Sequence, residues 1–302
     1  MTTIKIILLV VLGYIIYENY YVIANKAEYI YKKYLRPDVS QALFDNEYRK
    51  KENYEYVKIN ENVKVKNKDD VKNAIYTFLD AGWDRYTIVC DADYLNCIND
   101  VKSMVENNTY LTDISNFVHP FNTFNKINTT FTSTGRITLK KDARYTDDQI
   151  KKINEKIDDI YNKYYDTSKN VKENIKIFHD YIVNNTKYDS TNTTGQSSIA
   201  SSTAYGVLIK NTGICSGYAD AMSLFLEKMG VKNYRISSST HVWNLVYVEG
   251  AWLHLDATWD DPVSYDGTDI LKHDYFLITY NQLLNNSSNE HLYDKSIYIE
   301  AQ

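Results

Sequence analysis

The sequence predicts an α+β fold. A helix that begins with a cysteine lies beside an antiparallel hairpin, after a small α/β subdomain and an N-terminal hydrophobic helix. Three observations predict it. Behind Cys215, the apolar residues Ala219, Met222, Phe225, Leu226 and Met229 recur at threes and fours. Residues 242–259 alternate on both sides of Glu249-Gly250. Ile6 to Tyr17 is apolar and uncharged.

That first run follows a single lysine, Lys5, and its length of roughly a dozen residues suits the core of a signal sequence. Continued through Ala24, it makes a membrane span of about twenty residues with Tyr20 and Tyr21 in the interfacial zone. Val22-Ile23-Ala24 passes as a cleavage site, but Glu18 and the tyrosines are a poor approach to one, so residues 1–24 read as an uncleaved anchor before a secreted signal. A buried core helix is the plain alternative, and its place at the extreme N-terminus counts against it. Residues 25–62, rich in Lys, Glu, Asn and Tyr, read as a linker or stalk. Residues 63–145 hold the apolar patches Ala74–Leu79 and Tyr86–Val89 and alternation over Phe131–Leu139, which suits a small α/β subdomain with a hairpin. The remainder, 146–302, forms the second domain.

Within it, Thr146 is placed to cap a helix striped by Ile150, Ile153, Ile157, Ile160 and Tyr164. Val171, Ile175, Phe178 and Ile182 mark another. Asn184 to Ser202 is a polar loop, either shaping a cleft mouth or simply solvated. Cys215 follows Asn211-Thr212-Gly213 and opens the next helix, which Gly230 ends. Its sulfur therefore lies near unpaired backbone N–H groups and the positive end of the helix dipole, which favour a thiolate and could hold an oxyanion. A lone cysteine is otherwise a small buried hydrophobe.

The hairpin supplies its partners. With Glu249-Gly250 as the turn, Val248 faces Ala251, and counting back sets Trp243 opposite Asp256. His241, at the start of one strand, is then the diagonal neighbour of Asp256 on the next, with roughly 5.5 to 8 Å between side-chain roots. A slip of one residue would separate them to opposite faces. The other face carries Val242, Val246, Val248, Leu253 and Leu255, interrupted by Asn244. Nucleophile, base and orienting carboxylate are thus expected together.

The motifs resemble those of the transglutaminase-like superfamily within the papain-like thiol enzymes. AYGVLIKNTGICSGYADAMSLFLEKMG is similar to its nucleophile segment, STHVWNLV to its histidine strand, WLHLDATWDDP to its aspartate strand, and HDYIVNNTKYD to its upstream helix end. The resemblance implies a papain-like/transglutaminase-like core, with the nucleophile helix packed on an antiparallel sheet. It implies Cys215 as nucleophile, His241 as general base and then acid, and Asp256 as the group that orients His241. Such enzymes attack a carboxamide carbonyl and pass the acyl group to water or to an amine.

Other residues carry weaker readings. Trp243 either lids the Asp–His contact and lines the cleft, or packs in the core. Tyr205 either donates to an oxyanion or packs. His254 reads as a structural neighbour on the catalytic face, His179 as a helix-end residue satisfying a local hydrogen bond, and Asp260-Asp261-Pro262 as a turn. Cys90 and Cys97 have neither a C-x-x-C spacing nor a nearby histidine, so no metal is expected; two reduced thiols are the default and a disulfide the alternative. No cofactor motif is present. A net charge of -5 and a pI near 5.7, without a basic aromatic-laced cluster, argue against nucleic acid. The 29 tyrosines reflect composition bias beside so much Lys, Asn and Ile.

The expected protein is an extracytoplasmic thiol peptidase or amidase, membrane-anchored or secreted, acting on a peptide or protein substrate with cell-wall peptides one candidate. A glutamine–lysine cross-linking enzyme and a catalytically silent peptide-binding module are the alternatives.

Overall fold

The computed structural model describes residues 8–15, 17, 19, 63–191, 198–263, 270–286 and 289–302 of the 302. The expected stalk, residues 25–62, lies outside the described residues, as does much of the expected anchor. Residues 8–15 are helical and exposed. Among the described residues, no helix is long and apolar enough to cross a membrane.

The chain divides into two compact units, residues 1–111 with 122–144, and residues 112–121 with 145–302. In the first, strand β1 (Val63–Val65) leads into helix α1 (Lys68–Asp80), whose first turn is capped by the Asn67 side chain on the Asp70 N–H at 2.9 Å. Strand β2 (Arg85–Cys90) and helix α2 (Cys97–Glu106) follow. Helix α3 (Asn108–Asn116) crosses the division, its residues from Thr112 counting with the second unit. Strands β3 (Phe124–Phe131) and β4 (Arg136–Ala143) form the expected hairpin, and the sheet runs β1-β2-β4-β3 with only β1–β2 parallel. Val71, Ile75 and Phe78 of α1 are fully buried, as are Ile88 and Ile137 of the sheet. Cys90 and Cys97 are joined in a disulfide, so the default of two reduced thiols is corrected. A tight stretch, Asp91 to Asn96, returns the chain from the end of β2 to the start of α2 and brings the two Cα atoms within 5.9 Å.

The second unit opens with helix α4 (Asp147–Tyr164), whose cap is Thr146 in a reciprocal box with Gln149. Ile150, Ile153, Ile157 and Ile160 form its buried stripe, each worth about 1.5–3 kcal/mol for leaving water. Helix α5 (Val171–Asn185) starts from a second capping box, Asn170 with Glu173. It runs on through Asn184 and Asn185, so the polar loop begins later than the sequence implied. The loop also contains the short strand β5 (Lys187–Tyr188) and a 3-10 turn at Ile199–Ser202. Helix α6 (Ala204–Lys210), strand β6 (Thr212–Gly213), helix α7 (Cys215–Lys228) and strands β7 (Asn233–Ser237), β8 (Val242–Val248) and β9 (Ala251–Leu255) follow, with β7-β8-β9 an antiparallel sheet. Helix α8 (Tyr280–Asn286) and 3-10 turns at Asn289–His291 and Ile299–Ala301 close the chain.

The β8–β9 turn matches expectation: Val248 pairs with Ala251, and Glu249 and Gly250 both have positive φ, 54° and 83°. That is the backbone of the tight hairpin turn whose twist suits the strands. Two positions differ from the sequence reading. The ladder ends at Asn244–Leu255, so His241 precedes β8 and Asp256 lies just past β9. Asp256 leaves the sheet because its N–H turns to the carbonyl of Tyr275 at 3.0 Å.

Helix α7 is bound to the sheet by polar links as well as by its apolar side. Arg235 of β7 pairs with Asp220 of α7 and also donates to the carbonyls of Ser115 and Val118 at 2.6 and 2.9 Å. Tyr145 donates to Asp220 at 2.6 Å and accepts from the Ala204 N–H at 2.8 Å, tying α6 to α7. These buried charges are costly to strip of water, and the added hydrogen bonds offset that cost.

Candidate active site

Cys215 is the first residue of α7 and is partly exposed. The start of this helix is pressed against the 198–203 segment. The Ile214 N–H donates to the Ser201 carbonyl at 2.9 Å, and Ser216 Oγ donates to the Ser202 carbonyl at 3.0 Å. A Cβ on Gly217 would lie 2.5 Å from that same Ser201 carbonyl, so the close approach requires glycine. The N–H groups of Cys215 and Ser216 have no hydrogen-bond partner among the described residues. They are the orphan donors of a helix start, next to the sulfur.

His241 is set by a tight turn: its N–H donates to Ser238 Oγ at 3.0 Å, and its carbonyl accepts from the Ser238 N–H at 2.9 Å. Its Nε2 lies 2.6 Å from Asp256 Oδ2, and the Cys215 thiol is near enough to the ring to favour its charged form. Burial works against charge on His241. The attraction and hydrogen bond of Asp256, reinforced by Cys215, outweigh it and push the imidazole up to about 10.

Asp256 is buried, and all four of its acceptor positions are used. Oδ1 accepts from the N–H groups of Thr258 and Trp259 at 3.0 and 3.3 Å, and Oδ2 from His241 and from His291 Nε2 at 2.9 Å. Burial alone would raise its pKa. The charge of His241 and the hydrogen bonds from His241 and His291 overcome that and hold the carboxyl well below its usual range. An anion at this position only accepts, so both imidazoles donate to it.

Trp243 is buried and its ring lies nearly parallel to that of His241, centroids 5.8 Å apart. Its indole N–H donates to His254 Nδ1 at 3.0 Å, and His254 Nε2 donates to the Ala301 carbonyl at 3.1 Å. Burial pushes His254 down to about 4, so it is a neutral structural link that fixes the Trp243 ring. The Tyr205 ring faces Lys210 Nζ of its own helix at 5.7 Å.

The structure extends the reading of one neighbour and places another. His179 does more than close a helix end, since its buried ring joins Asp180 at 2.9 Å and Asp260, eighty-one positions on, at 3.1 Å. Asp260 lies in the expected turn after β9 and is fully buried there, accepting the Tyr275 N–H at 2.9 Å. His273 and Lys176 complete the group on Asp180. Because the Asp260 N–H donates to the Asp256 carbonyl at 3.2 Å, this network steadies the backbone that carries Asp256.

His291 was not found by sequence reasoning. It lies 35 positions after Asp256 in a three-residue 3-10 turn with no periodicity to mark it. The half-exposed Trp259, with its ring 6.2 Å from His241, was noticed only as part of a motif.

Residues 158–257, which contain Cys215, His241 and Asp256, match the family model of the transglutaminase-like superfamily. This segment belongs to that superfamily. Among solved structures, the chain is similar to one described as a TGase, at 12% identity and a TM-score of 0.34, covering 58% of this chain and 50% of that one. It is also similar to "a Putative Cysteine Protease from Cytophaga hutchinsonii", at 17% identity and a TM-score of 0.29, covering 48% of this chain and 65% of that one. The chain thus spans half of the first and 65% of the second. No curated protein matches it.

Proposed function

We propose that the protein is an extracytoplasmic thiol hydrolase, a peptidase or amidase that cleaves amide bonds through an acyl-enzyme on Cys215. The observation that carries this reading is the line of contacts from the thiol at a helix start, through His241, to an Asp256 saturated with donors. A thiolate beside an imidazolium is the reactive form, and both the helix start and His241 favour it.

The sulfur of Cys215 attacks the amide carbonyl carbon, and the C=O pair moves onto oxygen. That oxyanion meets the unpaired N–H groups of Cys215 and Ser216. The intermediate collapses with rupture of the C–N bond, His241 giving its proton to the departing amine. Water then enters, loses a proton to His241, attacks the thioester carbonyl and releases the acid and the thiol. Throughout, Asp256 keeps His241 in one tautomer and balances its charge. Trp243, stacked on the imidazole, limits its rotation.

Peptide or protein is the substrate class, with cell-wall peptides among the candidates. The disulfide supports a site of action outside the reducing cytosol, and the apolar run Ile6–Tyr17 supports export or anchoring by the N-terminal segment. Incubation with a glutamine-containing peptide, with and without a primary amine, followed by mass spectrometry, tests the chemistry. Chain scission or side-chain deamidation that the amine does not divert supports hydrolysis. Incorporation of the amine identifies a cross-linking acyltransferase instead, and no product with any amide, together with an inert Cys215, leaves a peptide-binding module.

A further inference from the structure

We infer that His291 is a positioning residue for the proposed reaction, a second imidazole that locks the Asp256 carboxylate so that His241 stays aligned with the thiol. The inference rests on the thiol-enzyme reading.

His291 is fully buried and enclosed by rings: Trp243 and Trp259 at 4.9 Å edge-on, Tyr275 stacked at 5.0 Å, and His241 at 5.2 Å. Its Nε2–Asp256 contact is its one hydrogen bond among the described residues, and Nδ1 is buried without a donor. For packing alone this is a poor choice. A phenylalanine would fill an aromatic cage of this kind without leaving a buried nitrogen unpaired, which costs about 1–3 kcal/mol. What the imidazole adds is its N–H on Asp256 Oδ2, the same oxygen that holds His241.

Two donors on Oδ2 and two backbone donors on Oδ1 leave the carboxylate one orientation. Without His291, Oδ2 keeps a single partner and the carboxylate can swing with the His241 ring. The turn that carries His291 is held over the hairpin by the bridge between Tyr293 and Ser238, the residue whose side chain also fixes the His241 backbone. A segment remote in sequence thus closes around the Asp–His pair.

The test measures the rate of Cys215 alkylation by iodoacetamide between pH 6 and 10 in the full chain, for wild type, His291→Phe and His291→Gln. The glutamine amide nitrogen reaches the place of Nε2. Expected at pH 6 is a loss of about ten- to a hundredfold in His291→Phe, with most of the rate kept by His291→Gln and all rates converging at pH 10. Equal profiles for wild type and a folded His291→Phe, or a glutamine variant as slow as phenylalanine, would overturn the inference. Should His291→Phe not fold, His291→Asn replaces it, since its shorter amide falls short of Asp256; equal rates for Asn and Gln then overturn it. A wild-type Cys215 no faster than an ordinary thiol at pH 6 counts against the thiol-enzyme reading itself, a separate result.

Discussion

Asn244, the polar break in the apolar face of β8, donates through Nδ2 to the carbonyl of Ala219 in the cysteine-bearing helix at 3.0 Å. The same amide reaches Ser223 Oγ at 3.0 Å, and Ser223 in turn donates to Asn233 Oδ1 at 2.7 Å. A residue that spoils the sheet pattern is therefore what pins α7 to it. Replacing Asn244 by Ala strands these buried partners. We expect a loss of about 1–3 kcal/mol, seen as a lower denaturation midpoint with an unchanged denaturant slope. A midpoint within experimental error of wild type would show the link to be idle.

The local half of this site was legible in the sequence because local rules set it. The turn at Glu249-Gly250 fixed the β8–β9 register, and Thr146 announced α4 as its cap. What was hidden depends on distant chain segments. Nothing near His291 signals Asp256, and nothing around Asn244 names Ala219. The extent of β9 was misjudged because the carbonyl of Tyr275, from a later loop, takes the Asp256 N–H out of the ladder. Spacing alone left Cys90 and Cys97 open, since it fixes neither side-chain direction nor redox state.

Cys215→Ala removes the proposed nucleophile while sparing the fold, because the side chain is small and partly exposed. The variant should lose all hydrolytic turnover and all thiol labelling of the non-reduced protein, with its melting temperature within a few degrees of wild type. Peptide cleavage that survives the substitution, monitored by liquid chromatography, would move the chemistry elsewhere.

Titration of thiols under denaturing conditions separates the three cysteines. The non-reduced chain should show one reactive group, Cys215, and the reduced chain three. Replacing Cys90 and Cys97 by serine reopens a short loop, for which the chain-entropy estimate is about 2.5 kcal/mol. That cost should appear in the first unit's unfolding while Cys215 alkylation is unchanged. Three titratable thiols before reduction in protein prepared from an oxidising compartment would contradict the cross-link.

The His241–Asp256 pair makes a pH prediction with a definite sign. His241 is raised from an ordinary value near 6.5 to about 10, so its stabilising contribution is complete below 6.5 and is lost as pH climbs toward 10. Asp256 is lowered, so its contribution holds above its ordinary 3.8 and fails only in stronger acid. Stability from the pair should therefore be flat from pH 5 to about 6.5 and decline on the alkaline side. In Asp256→Asn the main cause of the rise is gone, and burial then drives His241 downward. The alkaline fall in melting temperature should disappear and be replaced by a loss of stability as pH falls below about 6.5, and turnover should drop by about 10²- to 10⁴-fold as the base loses its charged partner. Melting curves and rates across pH 5–10 for the two proteins decide it. An alkaline limb that stays in place in Asp256→Asn would mean that some group other than Asp256 holds the proton on His241.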